Sequence, residues 1–379
     1  MNDIELNTPG RSLHAAVVRI AHALRFMIAA LVMLPSLSGA AELPKSVRIS
    51  TFAYVDNGVT SIRFTPLVDR VLEEGWLESE LNKRGVKLEW YPVVGDTGAV
   101  TNEAFAGGRI DFANIGDLPS VLLNAGGVRT AVVAPSGRGS DMYLLVPNNS
   151  KAKSIRELKG KRISVHRGRP WDLGLRKLIE SEGLKVSDFK IINLAPAAGA
   201  AALASGKVDA HFANNGYLLE ESRLGKIIWS TKGKAPHFKY RAEVWGTRAF
   251  IDRYPELTQI VVTAFVKAAY WASQDQNREQ VIRISTRNRT PETVVRNNYD
   301  DPSLSWKDRW SPLLDDAVYE HFRNVVAAAQ AERLIRKPLN PRELVEPRFV
   351  NAALRDLKLE GYWTPWTDQT ASKPKELKS

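Results

Sequence analysis

The 379-residue chain contains no cysteine. That absence excludes a disulfide framework, thiolate metal ligands and every cysteine nucleophile, and it leaves no lipidated cysteine to anchor the chain after a leader. Long apolar runs are scarce as well. The uninterrupted one from Phe26 to Leu34 is much shorter than the roughly 20 residues a membrane-spanning helix needs, and no later segment is long and apolar enough. No Gly-x-Ser-x-Gly elbow and no His-Glu-x-x-His helix occurs, and the histidines at 166, 211, 237 and 321 lack metal-ligand spacing. Gly137-Arg138-Gly139 is half of a glycine-rich fingerprint without its third glycine. No cofactor is expected. Lys plus Arg number 53 against 42 Asp plus Glu, a formal charge of +11, yet the basic runs are interrupted, as in Lys159-Gly160-Lys161-Arg162. A small anionic ligand or simple solubility explains this balance better than nucleic acid does.

The ends look like processing segments. Arg11, Arg19 and Arg25 precede the apolar run, Pro35 breaks it, and Ser38-Gly39-Ala40-Ala41 supplies small residues, so residues 1–41 read as a cleavable secretory signal cut after residue 40 or 41. The exported chain is expected in a periplasm, since a cell with one membrane would lose a protein without an anchor. Residues 367–379 are polar and expected to be disordered.

Two stretches about a hundred residues apart are variants of one unit. The first runs Gly108-Arg109-Ile110-Asp111-Phe112-Ala113-Asn114-Ile115-Gly116-Asp117, the second Gly206-Lys207-Val208-Asp209-Ala210-His211-Phe212-Ala213-Asn214-Asn215-Gly216. Each follows a small apolar helical run, and the leading glycine suits a left-handed helix end. A short buried strand then ends in small polar residues where another helix starts. Loop backbone and helix N–H groups thus point beyond a strand's carboxyl end, where open α/β sheets bind ligands. From Ser46 onward strand and helix alternate, which indicates α/β with a mainly parallel sheet and helices on both faces. Two units, one per half, suggest two lobes facing each other across a cleft. Lobe I is expected over 42–142 plus 246–366, with the C-terminal helices as an extension, and lobe II over 143–245. The two crossings form a hinge.

The chain resembles periplasmic substrate-binding proteins of ABC importers for aliphatic sulfonates, taurine and nitrate, over roughly Ser46 to Ala272. The likeness is carried by Ala106-Gly107-Gly108-Arg109-Ile110-Asp111-Phe112 with Ile115-Gly116-Asp117-Leu118-Pro119, and by Ser154-Ile155-Arg156-Glu157-Leu158-Lys159-Gly160-Lys161-Arg162-Ile163-Ser164-Val165. It implies the two-lobe type II binding-protein fold, with ligand between the lobes. It also implies a small organic anion, most of all a sulfonate, delivered to an ABC permease in the inner membrane by a monomeric, non-enzymatic protein. Where many relatives carry Gly-Ser or Gly-Thr, this chain has His166-Arg167-Gly168-Arg169-Pro170-Trp171, and where relatives often show a tryptophan–aspartate pair it has Asn214-Asn215.

Ligand contacts are expected from Arg167, Gly168, Arg169 and Trp171, because Pro170 suits a helix's first turn and leaves N–H donors beside two guanidinium groups. Gly116 offers backbone N–H, while Asp117 is a helix cap whose carboxylate would select an amine-bearing ligand if it faced the cleft. Asn214 and Asn215 offer amide donors from the second lobe. Tyr54, Asp56 and Asn57 lie in a polar, glycine-containing loop, Tyr54 to Ser61, that follows the first strand, and Arg138 sits in a glycine turn. A cysteine-independent lyase or hydrolase on the same lobes, and a ligand-reporting partner of a membrane sensor, are the rival readings. Sulfinate desulfinases and thiamin-precursor synthases share the fold, but they rely on cysteine.

Overall fold

The computed structural model describes residues 42–95 and 97–367, so the expected signal segment and the tail beyond Thr367 lie outside the described residues. From Pro44 onward the chain forms one unit. Its strands in chain order are β1 (Ser46–Phe52), β2 (Tyr54–Asp56), β3 (Val59–Ser61), β4 (Lys87–Val93), β5 (Phe112–Gly116), β6 (Thr130–Pro135), β7 (Tyr143–Val146), β8 (Arg162–Val165), β9 (Lys190–Asn193), β10 (Ala210–Ala213), β11 (Lys226–Ser230) and β12 (Ala242–Thr247). Two five-stranded sheets result, ordered β4-β1-β5-β12-β6 and β11-β7-β10-β8-β9.

The sheets are built alike. In the first, β1 runs parallel to β4 and β5, and only β12 runs against its neighbours β5 and β6. In the second, β8 runs parallel to β9 and β10, and β7 runs against β10 and β11. The reversed strand is in each case the one that follows a crossing, inserted beside the twin unit's strand. The twin glycines carry the expected positive φ, +63° at Gly108 and +70° at Gly206. Helices cover both faces of both sheets. On the first sheet, Leu67, Val261, Phe265 and Val350 pack against Ile49 and Val133 on one face, and Leu118, Val121 and Phe322 against Ile115 and Trp245 on the other. On the second, Leu175 and Ile179 cover one face and Ala200, Leu203 and Leu219 the other.

Two expectations need correction. The return crossing is complete by Ala242, not Gly246: β12 belongs to the first sheet because Ala242 pairs with Gly116 and Glu243 with Pro135. Residues 54–61 are not a plain loop but the hairpin β2–β3. Asn57 (φ +49°) and Gly58 (φ +80°) take the two left-handed positions that a tight two-residue turn requires. The C-terminal helix Pro255–Ser273 buries Val261, Val262, Phe265 and Ala269 against the first sheet, so this part of the extension is core rather than decoration.

Candidate functional site

Three helices open onto a cavity of about 560 Å³ between the sheets. Thr65 and Pro66 start the helix Pro66–Glu74, Gly116 precedes Asp117–Ala125, and Arg169 and Pro170 start Pro170–Ser181; all of these residues line the cavity. The first turn of a helix has N–H groups without intrahelical partners and carries the positive end of the dipole, so such ends around one space favour an anion. Behind Gly116 only the dipole contributes, because the Asp117 and Leu118 N–H groups go to the Arg241 carbonyl and Asp117 Oδ1 and residue 119 is proline. Proline fits the first position of two of them because its missing N–H costs nothing there. Around the rest of the space stand Phe52, Phe64, Trp171, Tyr240 and Trp310. A smaller cavity of about 330 Å³ adjoins it, and Phe64, Tyr240, Tyr299 and Arg309 line both.

The expected residues divide. Gly116, Arg138, Arg169, Trp171 and Asn214 line the cavity. Trp171 meets Tyr240 edge-on at 5.9 Å between ring centroids, and Asn214 Nδ2 donates to the Tyr240 hydroxyl at 3.3 Å. Arg138 is committed elsewhere: it is buried, pairs with Asp315 at 2.6 Å and donates to the Thr364 carbonyl at 3.1 Å.

The others stand away from the cavity lining. Asp117 is buried; its carboxylate accepts from the Arg241 backbone N–H at 3.1 Å and lies 2.6 Å from His321 Nε2. It therefore does not face the cleft, and the argument for an amine-bearing ligand loses its support. Arg167 is exposed, its backbone N–H donating to Asn193 Oδ1, while Gly168 (φ +73°) donates to Asp172 Oδ2. The left-handed turn at Gly168 separates the two arginines and sends only Arg169 inward. Asn215 stands at the start of the helix Gly216–Glu221. Tyr54 packs edge-on against Phe64 at 5.4 Å, Asp56 pairs with Arg289, and Asn57 shapes the hairpin turn.

The residue that sequence reasoning missed is Arg309. It lines both cavities at 8% exposure, and its Nε and Nη2 have no hydrogen-bond partner. Burial pulls its pKa below the usual arginine value, partly offset by Asp301, and its guanidinium lies 5.6 Å from the Tyr299 ring centroid. Buried donors without partners are few in a native protein, and for a cation the cost of leaving them so is severalfold greater. Thr65 Oγ1, Asn114 Oδ1 and Trp310 Nε1 line the same cavity and are also buried without partners. Unsatisfied groups thus gather on the wall of one space. No motif marks Arg309; the nearest signal was the aromatic setting of Trp306 and Trp310. Among the described residues other buried charges have a charged partner, although Arg241 Nη1 and Asp315 Oδ1 also lack a hydrogen bond. Arg241 pairs with Glu243, whose pKa burial raises, and Lys239 bridges Asp141 and Asp301 at 2.5 and 2.6 Å where the crossings meet.

Comparison with known proteins bears on this cleft. The model of the NMT1-like family matches residues 73–286. The chain belongs to that family. A solved structure from Methylobacillus flagellatus KT, named as a candidate periplasmic sulfonate-binding protein SsuA of an ABC transporter, is 46% identical. It covers 86% of this chain and 98% of its own, with a TM-score of 0.78. A Bacillus subtilis (strain 168) protein, named as a candidate aliphatic sulfonates-binding protein, is 24% identical over 75% of this chain and 83% of its own length. The alkanesulfonate-binding protein SsuA of Xanthomonas axonopodis pv. citri, solved bound to MOPS, shares the fold at 21% identity. It covers 81% of this chain and 99% of its own, with a TM-score of 0.62. The fold of this NMT1-like chain is therefore the two-lobe periplasmic-binding-protein fold, and these three relatives are named as binding proteins, while the desulfurization enzyme DSZB shares the fold at 17% identity. Among the described residues no helix is long and apolar enough to cross a membrane.

Proposed function

We propose that this chain is the periplasmic solute-binding component of an ABC importer, and that it holds a small organic sulfonate between its lobes for delivery to the permease. The observation that carries the reading is Arg309, a buried guanidinium whose Nε and Nη2 lack hydrogen-bond partners, on the wall of a cavity onto which three helix N-termini open. A sulfonate supplies three oxygens and one negative charge, enough to satisfy Arg309, Thr65 Oγ1 and backbone N–H groups together. Arg169 adds a second guanidinium, and Asn214 and Trp171 close the site from the second lobe. The sulfonate ligands named for the relatives agree with this chemistry.

The mechanism is binding with closure: ligand favours the closed form and shifts the population toward it. The protein acts as an exported monomer cut from its leader near residue 41, with lobe II between the crossings. An affinity near micromolar, about −8 kcal/mol, suits the role. Isothermal titration of the mature chain with alkanesulfonates, arylsulfonates, taurine and nitrate tests it. Saturable binding of at least one sulfonate is expected, and its absence across the panel overturns the reading.

A further inference from the structure

The walls of the cleft say more about the ligand than its charge. Phe52 ends the first strand, Phe64 precedes a helix, Trp171 opens a helix of the second lobe, Tyr240 lies on the return crossing, and Tyr299 and Trp310 come from the C-terminal extension. Separate segments of the chain thus converge their rings on one space. Two pairs of them already meet edge to face or tilted: Trp171 with Tyr240, and Tyr299 with Trp310 at 5.6 Å. Such a wall offers an aromatic guest the offset and edge-on geometries that rings prefer, on top of area burial.

The space is also larger than a two-carbon guest fills. A volume of about 560 Å³ falls in the range that encloses drug-sized molecules. Closure would ordinarily shrink an open cleft, but here the segment from Arg287 to Trp310 ties both lobes together. Toward the first lobe, Arg287 pairs with Asp69 at 2.6 Å and Trp306 Nε1 donates to the Ala272 carbonyl at 3.0 Å. Toward the second lobe, Asn298 Oδ1 accepts from the Tyr143 hydroxyl at 3.2 Å. On the return crossing, Asp301 receives Lys239 and the Gly233 N–H. Tyr299, Arg309 and Trp310 belong to that same segment, so the aromatic wall is braced against both halves.

We infer that the ligand is an arylsulfonate, with the sulfonate on Arg309 and the helix N-termini and the ring system lodged between Trp171, Phe52 and Trp310. This rests on the sulfonate reading above and narrows it to a substrate class. Isothermal titration of the mature chain compares benzenesulfonate and 2-naphthalenesulfonate with methanesulfonate, ethanesulfonate and taurine. At least tenfold tighter binding of the aryl compounds is expected. Trp171→Ala should cut that preference at least fivefold and Trp171→Phe should restore most of it, with melting temperatures confirming that both variants fold. Short alkyl sulfonates binding as tightly as aryl ones would overturn the inference while leaving the sulfonate reading intact. A preference unmoved by Trp171→Ala would overturn the proposed seat of the ring. Binding by none of the five compounds would overturn both readings.

Discussion

His321 Nε2 lies 2.6 Å from Asp117 Oδ2, and both side chains are buried behind the cleft wall. The pair explains how an acidic residue can open a helix beside an anion site without repelling the anion. The Asp117 carboxylate is used up by His321, the Arg241 backbone N–H and the Leu118 N–H of its own first turn.

Acid should loosen the fold through buried histidines. Burial lowers the pKa of His321 despite Asp117, and it lowers that of His211, deep in the second sheet beside Ser164, to about 4. A histidine whose native pKa lies below its unfolded value takes up a proton on unfolding. The stability it allows is therefore complete above about pH 6.5 and falls as the pH drops toward the native value. For His211 alone the loss by pH 4 is roughly 3 kcal/mol. Urea unfolding at pH 7.5 and pH 5 should show lower stability at the acid end, and His211→Asn should flatten the slope between the two. Equal slopes in variant and parent would refute the assignment.

Removing the charge of Arg309 should separate binding from stability. A hydrogen bond to a charged group contributes about 1.5–3 kcal/mol, so Arg309→Gln should weaken sulfonate binding by roughly ten- to a hundredfold. The unliganded variant should melt no lower than the parent, because a buried cation whose Nε and Nη2 lack hydrogen bonds is lost with the side chain. Titration together with differential scanning calorimetry checks both halves of this expectation.

The twin units were legible in the sequence because local rules make them: a glycine with positive φ, a short apolar strand, and polar residues where a helix begins. What their acids do was not legible. Asp111 holds Arg48 at Nε, Nη2 and the backbone N–H, and Asp209 holds Arg162 through the same three atoms. The same arginines also reach the carbonyls of Gly108 and Gly206. The acids therefore pin neighbouring parallel strands and do not point at ligand, and their partners are fixed only once β1 and β8 are in register. The helix ends at Gly116 and Pro170 could be read from sequence for the same local reason. Arg309 could not, since its place depends on tertiary packing of a segment outside the repeat. Arg138 shows the reverse case: it reaches the cavity, but Asp315 had already claimed it.

The two clamps should differ in strength. Asp111 is nearly buried whereas Asp209 is about a third exposed, so solvent screens the second pair more. Asp111→Ala should cost roughly 2–3 kcal/mol by stranding backbone and guanidinium donors, and Asp209→Ala about 1 kcal/mol. Chemical denaturation gives the comparison. Sulfonate affinity should stay within about twofold in both variants, because neither carboxylate lines the cavity.

Two glycines distinguish packing from function. A Cβ on Gly216 would sit 2.3 Å from Tyr143 Cγ, and Tyr143 is a buried ring whose hydroxyl donates to Asn298. The ring has nowhere to retreat, so Gly216→Ala should cost about 1–3 kcal/mol as overpacking. A Cβ on Gly98 would instead lie 2.6 Å from Arg169 Nη1, the far end of a flexible side chain, with Pro119 Cγ at 3.2 Å. The tip of Arg169 can shift aside, and alanine is the better helix former by up to about 1 kcal/mol, which offsets the displacement. Gly98→Ala should therefore leave the melting temperature near the parent's while weakening sulfonate binding severalfold, because Arg169 leaves its place on the cavity wall. Titration of Gly98→Ala beside Arg169→Gln decides the point: similar losses in the two variants place the effect at the guanidinium, and an unchanged affinity in Gly98→Ala removes Arg169 from the site.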